Sequence, residues 1–142
     1  MRRITAVAMI GLVLASSLAM AGKAKGSQPY SQLAVVPDES KAQSNPLEGD
    51  PNATTAGRKL YERHCLECHG ATAESGRKGP SLRATEVQSA PPGALFWVLT
   101  NGNVRAGMPV WSKLPEPQRW QIVSYLRSLG AVAPAARDSK AR

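Results

Sequence analysis

Apolar and polar positions separate the chain into stretches of different kinds. Ile4 to Leu18 is apolar almost throughout, rich in Ala and Val, and follows Arg2 and Arg3. Gly11, Ser16 and Ser17 interrupt this run, which falls short of the ~20 apolar residues a membrane span prefers. Ala19-Met20-Ala21 before Gly22 has the small-x-small form of an export cleavage site. Residues 1–21 are therefore expected to be a signal peptide, cleaved after Ala21, which leaves no stable membrane span and a periplasmic protein. From 22 to 52 the pattern fades. Pro29, Pro37, Pro46 and Pro51 stand among Ser and Gln, and Leu33-Ala34-Val35-Val36 is a small apolar cluster. This composition predicts an extended or disordered leader.

Periodicity returns in the domain expected over 53–131. Thr54 or Thr55 suits an N-cap, and Gly57, Leu60, Tyr61 and His64 then recur at i, i+3, i+4 and i+7, predicting a helix to about Cys65. Ala71 to Ser89, punctuated by Gly76, Gly79 and Pro80, predicts mostly loop. Pro92 fits the first turn of a short helix through Leu95, Phe96, Val98 and Leu99, which Asn101-Gly102 ends. After a loop from Asn103 to Leu114, Pro115 and Pro117 precede a last helix with the stripe Ile122, Tyr125, Leu126 and Leu129. Arg119, Gln121, Ser124, Arg127 and Ser128 form its polar side, and Gly130 is expected as its C′ residue. Residues 132–142 then form a basic tail. No segment alternates as a strand would, so the class expected is all-α.

Charge changes this picture little. The formal net charge of +8 falls to +6 when Arg2 and Arg3 leave with the signal. A basic balance favours acidic partners or anionic surfaces, but no basic helix interleaved with aromatics points to nucleic acid. The length suits one domain, and 53–131 alone is short for an independent apolar core.

The chemistry is concentrated in His64-Cys65-Leu66-Glu67-Cys68-His69, which holds both cysteines and both histidines of the 142-residue chain. Cys-x-x-Cys-His is the attachment signature of c-type haem. One helical turn between Cys65 and Cys68 lets both sulfurs reach one porphyrin edge, and His69 then lies under the iron as proximal ligand. A disulfide between them closes too small a loop to stabilise much, and a thioredoxin-like pair requires a βαβ setting. A zinc site needs ligands from separate turns. One covalent haem c, held through Cys65 and Cys68, is the expectation, and it would supply the hydrophobic centre the short domain lacks.

Met1, Met9 and Met20 precede residue 22, so Met108 is the thioether left for the sixth position. It lies in Gly107-Met108-Pro109, where Gly permits close approach and Pro fixes φ. His64 is the rival, but its neighbour Cys65 is tethered, which leaves it no route to the opposite face. A neutral thioether stabilises Fe(II) and raises the potential. With both axial positions filled the iron offers no open site, which points to an electron carrier and not an enzyme.

With CLECH, GPSL, GMPVW and QIVSYLRSL in register, Thr54 to Leu129 resembles a bacterial, periplasmic mono-haem class I cytochrome c. The resemblance implies N- and C-terminal helices that cross, with Gly57 and Tyr61 against Ile122 and Tyr125, around a covalently bound haem. It also implies that the Pro80 carbonyl accepts the Nδ1–H of His69, and that Trp111 packs near the haem. Trp97 and Trp120 are expected as core; Arg83 and Arg105 are candidates for the propionates or for solvent. The function implied is a one-electron carrier between a donor dehydrogenase or cytochrome complex and a terminal oxidase or reductase, as a monomer or in a weak complex. A weaker likeness, in GMPVW and PEPQRW, is to small cytochromes that serve quinoprotein dehydrogenases. The alternatives are a bound subunit of such a dehydrogenase or larger redox complex, or a haem sensor or peroxidase with a labile Met108.

Overall fold

The computed structural model describes residues 29–74, 76 and 78–131. The expected signal peptide, the start of the leader, Arg77 and the basic tail lie outside the described residues. The helices are α1 (Ser31–Ala34), α2 (Asp38–Lys41), α3 (Pro51–His64), α4 (Leu66–His69), α5 (Thr85–Gln88), α6 (Pro92–Asn101) and α7 (Glu116–Ala131). A 3₁₀ turn spans Val104–Ala106, and among the described residues β pairing is confined to one antiparallel bridge, Asn103 to Met108. The class is all-α.

The helix α3 begins earlier than Thr54. Asp50 accepts from the Asn52 amide at 2.8 Å, and Pro51 occupies the first turn, where its missing N–H costs nothing. Thr54 and Thr55 instead turn their hydroxyls back to the carbonyls of Asp50 and Pro51. At the other end α7 continues through Gly130. The glycine there serves close approach and not reversal, because a Cβ would overlap Oε1 of Gln88. The Gln88 amide donates to the carbonyls of Leu82 at 2.6 Å and Leu126 at 3.1 Å, tying α5 to α7.

The crossing of α3 over α7 is the fold's main interface. Tyr61 of α3 is fully buried, as are Ile122 and Val123 of α7, and the rings of Tyr61 and Tyr125 lie 5.2 Å apart across the interface. Gly57 sets the closeness of the crossing, since a Cβ there would overlap the Gln121 carbonyl oxygen and press on Cβ of Tyr125. Ala at 57 would gain ~1 kcal/mol of helix propensity. Overpacking, at ~1–3 kcal/mol or more, outweighs that gain, because rigid backbone is what must move. Gly57→Ala is therefore expected to lower the thermal midpoint by several degrees in a calorimetric scan. A midpoint equal to that of wild type would show that the helices can separate freely.

The leader expectation needs correction over its described part. Residues 29–50 are folded against the domain, with Val36 3% and Asn45 6% exposed. Asn45 Nδ2 donates to Oγ of Ser124 at 2.9 Å, and that hydroxyl lies 3.4 Å from the Leu47 carbonyl. Ser124, placed on the polar side of α7, is thus buried beneath this segment. Gly93 of α6 admits the Ser40 carbonyl where a side chain would not fit. The segment is ordered by partners on α6 and α7, not by its own periodicity. Trp120 is buried and stacks on Phe96 at 4.1 Å, whereas Trp97, expected as core, is only half-buried.

Candidate functional site

The single turn α4 follows α3 with scarcely a break. The amides of Cys68 and His69 both donate to the Cys65 carbonyl, at 3.1 and 2.9 Å, which sets the two sulfur-bearing residues one turn apart. Gly70, at φ +81°, ends the turn, and its carbonyl accepts the Tyr61 hydroxyl at 2.5 Å. This bond hangs α4 from the buried face of α3. Burial, with a smaller contribution from Cys68, pushes the Cys65 thiol up to about 12. Both cysteines are free, and the Cys65 thiol, held in the neutral form by burial, is a poor exchange nucleophile.

His69 is oriented by the following loop. Its Nδ1 lies 2.9 Å from the Pro80 carbonyl oxygen. A carbonyl can only accept, so Nδ1 carries the proton and Nε2 keeps its lone pair. Gly79 donates to the Cys68 carbonyl at 2.9 Å, and a Cβ on it would stand 2.7 Å from His69 Nδ1. The loop can press on the imidazole at that point because the residue is glycine.

Met108 sits on a small hairpin. Asn103 and Met108 exchange backbone hydrogen bonds of 2.9 and 3.0 Å, and Gly107 takes φ +86° between the 3₁₀ turn and Met108. Trp111 closes the segment by donating its amide to the Leu99 carbonyl at 3.1 Å. Its ring meets that of His64, with centres 5.1 Å apart. His64, the last residue of α3, thus joins that helix to the Met108 segment and lines the same cavity.

Cys65, Cys68, His69, Pro80, Met108 and Trp111 all line one cavity of about 590 Å³. Leu82, Val87, Leu95, Leu99, Ile122 and Leu126 supply much of the apolar wall. The size lies within the range of cofactor sites. The donor set fits a covalently tethered haem: two thiols a turn apart, an imidazole with Nε2 free, and a thioether on one wall. Among the described residues no three His, Cys, Asp or Glu side chains converge as a metal cage. Arg83 does not line the cavity; it donates to the carbonyls of Thr72 and Leu129, both at 2.8 Å. Arg105 is exposed. Exposed Leu66, Val104 and Val110 lie on the segments that carry Cys65 and Met108, and Lys78 pairs with Glu67 at 3.3 Å.

The sequence did not point to Tyr30 and Gln32, which line the cavity together with Leu33. The apolar cluster at 33–36 was the one signal that this stretch docks. Among the described residues no helix is long and apolar enough to cross a membrane.

A family model described as cytochrome c oxidase, cbb3-type, subunit III matches residues 52–126. Quinohemoprotein alcohol dehydrogenase ADH-IIG of Pseudomonas putida is 33% identical over 116 residues, which is 71% of this chain and 16% of that protein. Cytochrome c550 of Pseudomonas aeruginosa is 32% identical over 81 residues, 54% of this chain and 56% of that one. The chain thus spans about half of one of these relatives and about a sixth of the other. The crystal structure of cytochrome CL from Methylophaga aminisulfidivorans superposes with a TM-score of 0.54 at 25% identity, covering 73% of this chain and 69% of that one.

Proposed function

The chain belongs to the cytochrome c family, and from that premise we propose that it is a periplasmic one-electron carrier with a single covalent haem c. Cys65 and Cys68 form the thioether links, and His69 and Met108 take the two axial positions. The observation that carries this is the convergence of these side chains on one cavity of about 590 Å³, with His69 Nδ1 committed to the Pro80 carbonyl. Such a haem, when bound, supplies a one-electron Fe(II)/Fe(III) couple with no open coordination position.

The chain's residues do the rest. The Pro80 carbonyl fixes the His69 tautomer and makes Nε2 a better donor. The thioether of Met108 adds no charge and favours the reduced state. The apolar wall of Leu95, Leu99, Ile122 and Leu126 keeps water from the centre, which favours the less charged state further. The functional unit comprises the expected 53–131 domain together with the 29–52 segment packed on it.

The donor we infer is a quinoprotein dehydrogenase, and the acceptor a terminal oxidase or reductase. The similarity to a quinohemoprotein alcohol dehydrogenase over 71% of the chain supports that donor, whether the contact is transient or a standing subunit interface. The mature protein is expected to contain one haem per chain, to show a weak red-edge band from sulfur–iron charge transfer when oxidised, and to keep its reduced spectrum under CO. A reduced form that binds CO would replace the carrier with a sensor or peroxidase.

A further inference from the structure

Tyr30, Gln32 and Leu33 line the cavity, and their segment touches both the loop that orients His69 and the hairpin that carries Met108. The Tyr30 hydroxyl donates to the Ser81 carbonyl at 2.9 Å, and Ser81 directly follows Pro80, the partner of His69. The Gln32 amide donates to the Gly102 carbonyl at 3.0 Å, and Gly102 directly precedes Asn103, the partner of Met108. Both side chains form part of the cavity wall. Gly102 is itself wedged against the far strand of the hairpin: at φ +66°, a Cβ on it would come within 2.6 Å of the Pro109 carbonyl.

Two residues on one short strap thus hold two separate loops that lie 51 and 70 residues further along the chain. We infer that Tyr30 and Gln32 are positioning residues that clamp the His69 loop and the Met108 hairpin to each other. The inference rests on the His69/Met108 reading above. Its consequence is specific. Outward movement of the hairpin would draw the Met108 thioether from the cavity, and the hydrogen bond from Gln32 to Gly102 opposes that movement. Tyr30 plays the corresponding part for the loop that orients His69. A ligand pair held this way changes little between oxidation states, which suits electron transfer.

The test uses the mature holo-protein. Imidazole competes with Met108 for ferric iron, and its binding is read from loss of the red-edge band. Gln32→Leu keeps most of the side-chain volume but removes the donor and adds no second thioether to the cavity wall. It is expected to lower the imidazole concentration at half-displacement by about two- to tenfold, the effect of one net hydrogen bond. Amide hydrogen exchange in the same variant should quicken at Asn103 and Met108 while Val123 of α7 stays protected. Tyr30→Phe should quicken exchange of the His69 ring N–H. Lys41→Ala, which breaks only an exposed pair with Asp38, should change neither.

If Gln32→Leu binds imidazole as wild type does, or if exchange rises uniformly through α7, the clamp is overturned and the strap is mere packing. A wild-type protein without the band would sink the Met108 assignment instead. Exchange at Asn103 and Met108 would then still decide whether the clamp exists.

Discussion

Replacing both Cys65 and Cys68 by Ser is expected to leave a chain with no cooperative fold. Under the proposed function two thioether links would hold the haem in a cavity of about 590 Å³, and the double variant leaves that space to water. At ~24 cal/mol per Å³ of void, a dry cavity of this size would cost ~14 kcal/mol. The mouth is open, so the true figure is lower, but it remains comparable with the ~5–15 kcal/mol that holds a whole domain together. The walls cannot close the gap by collapsing. Leu95 and Leu99 come from α6 and Ile122 and Leu126 from α7, and α3 already fixes α7 at the Gly57 crossing. The expected result in circular dichroism is reduced helix with a broad, non-cooperative melt, any residual helix coming from the α3–α7 pair around Tyr61 and Tyr125. A sharp thermal transition in the haem-free double variant would show that the packed protein core suffices.

What the sequence revealed, and what it hid, follows from the range of the forces involved. The helices α3, α6 and α7 were legible because each carries an apolar stripe, such as Ile122, Tyr125, Leu126 and Leu129. The haem motif was legible because Cys65, Cys68 and His69 act within one turn. The contact between His69 and Pro80 came from resemblance, since nothing local says where the loop returns. The segment over 29–50 was misread for a physical reason. Four-residue helices such as α1 and α2 are too short to show a period and too short to be stable alone. Their order comes from distant partners: Ser81 for Tyr30, Gly102 for Gln32, Ser124 for Asn45. The start of α3 was missed because Asp50-Pro51 reads equally as the end of a Pro-rich leader and as a cap followed by a first-turn proline. Gly130 misled in the opposite direction. It looked like a helix terminator, whereas it is a contact residue that makes room for Gln88. The approach of His64 to Trp111 joins residues far apart in sequence, and no local pattern encodes it.

Met108→Ala is expected to keep the haem attached yet to lose the red-edge sulfur–iron band and lower the midpoint potential. Attachment survives because Cys65 and Cys68 lie on a separate turn, tied to α3 through Tyr61 and Gly70. The band is lost because every other methionine lies within the first 20 residues, so no second thioether is at hand. Axial ligands move haem potentials over about 0.8 V, so a fall on the order of 100 mV or more is the scale expected. Truncation also removes packing, which a stability change alone could mimic. Met108 is half-buried, however, so that cost is a fraction of the ~2–5 kcal/mol of a fully buried Met→Ala change. Met108→Leu separates the two effects: it restores volume at little cost but cannot ligate. Under the ligand assignment, Leu recovers the thermal midpoint while the band stays lost and the potential stays low, and the reduced form of either variant now binds CO. A Leu variant that keeps the band and the wild-type potential would make Met108 a packing residue and leave the second axial position to another group.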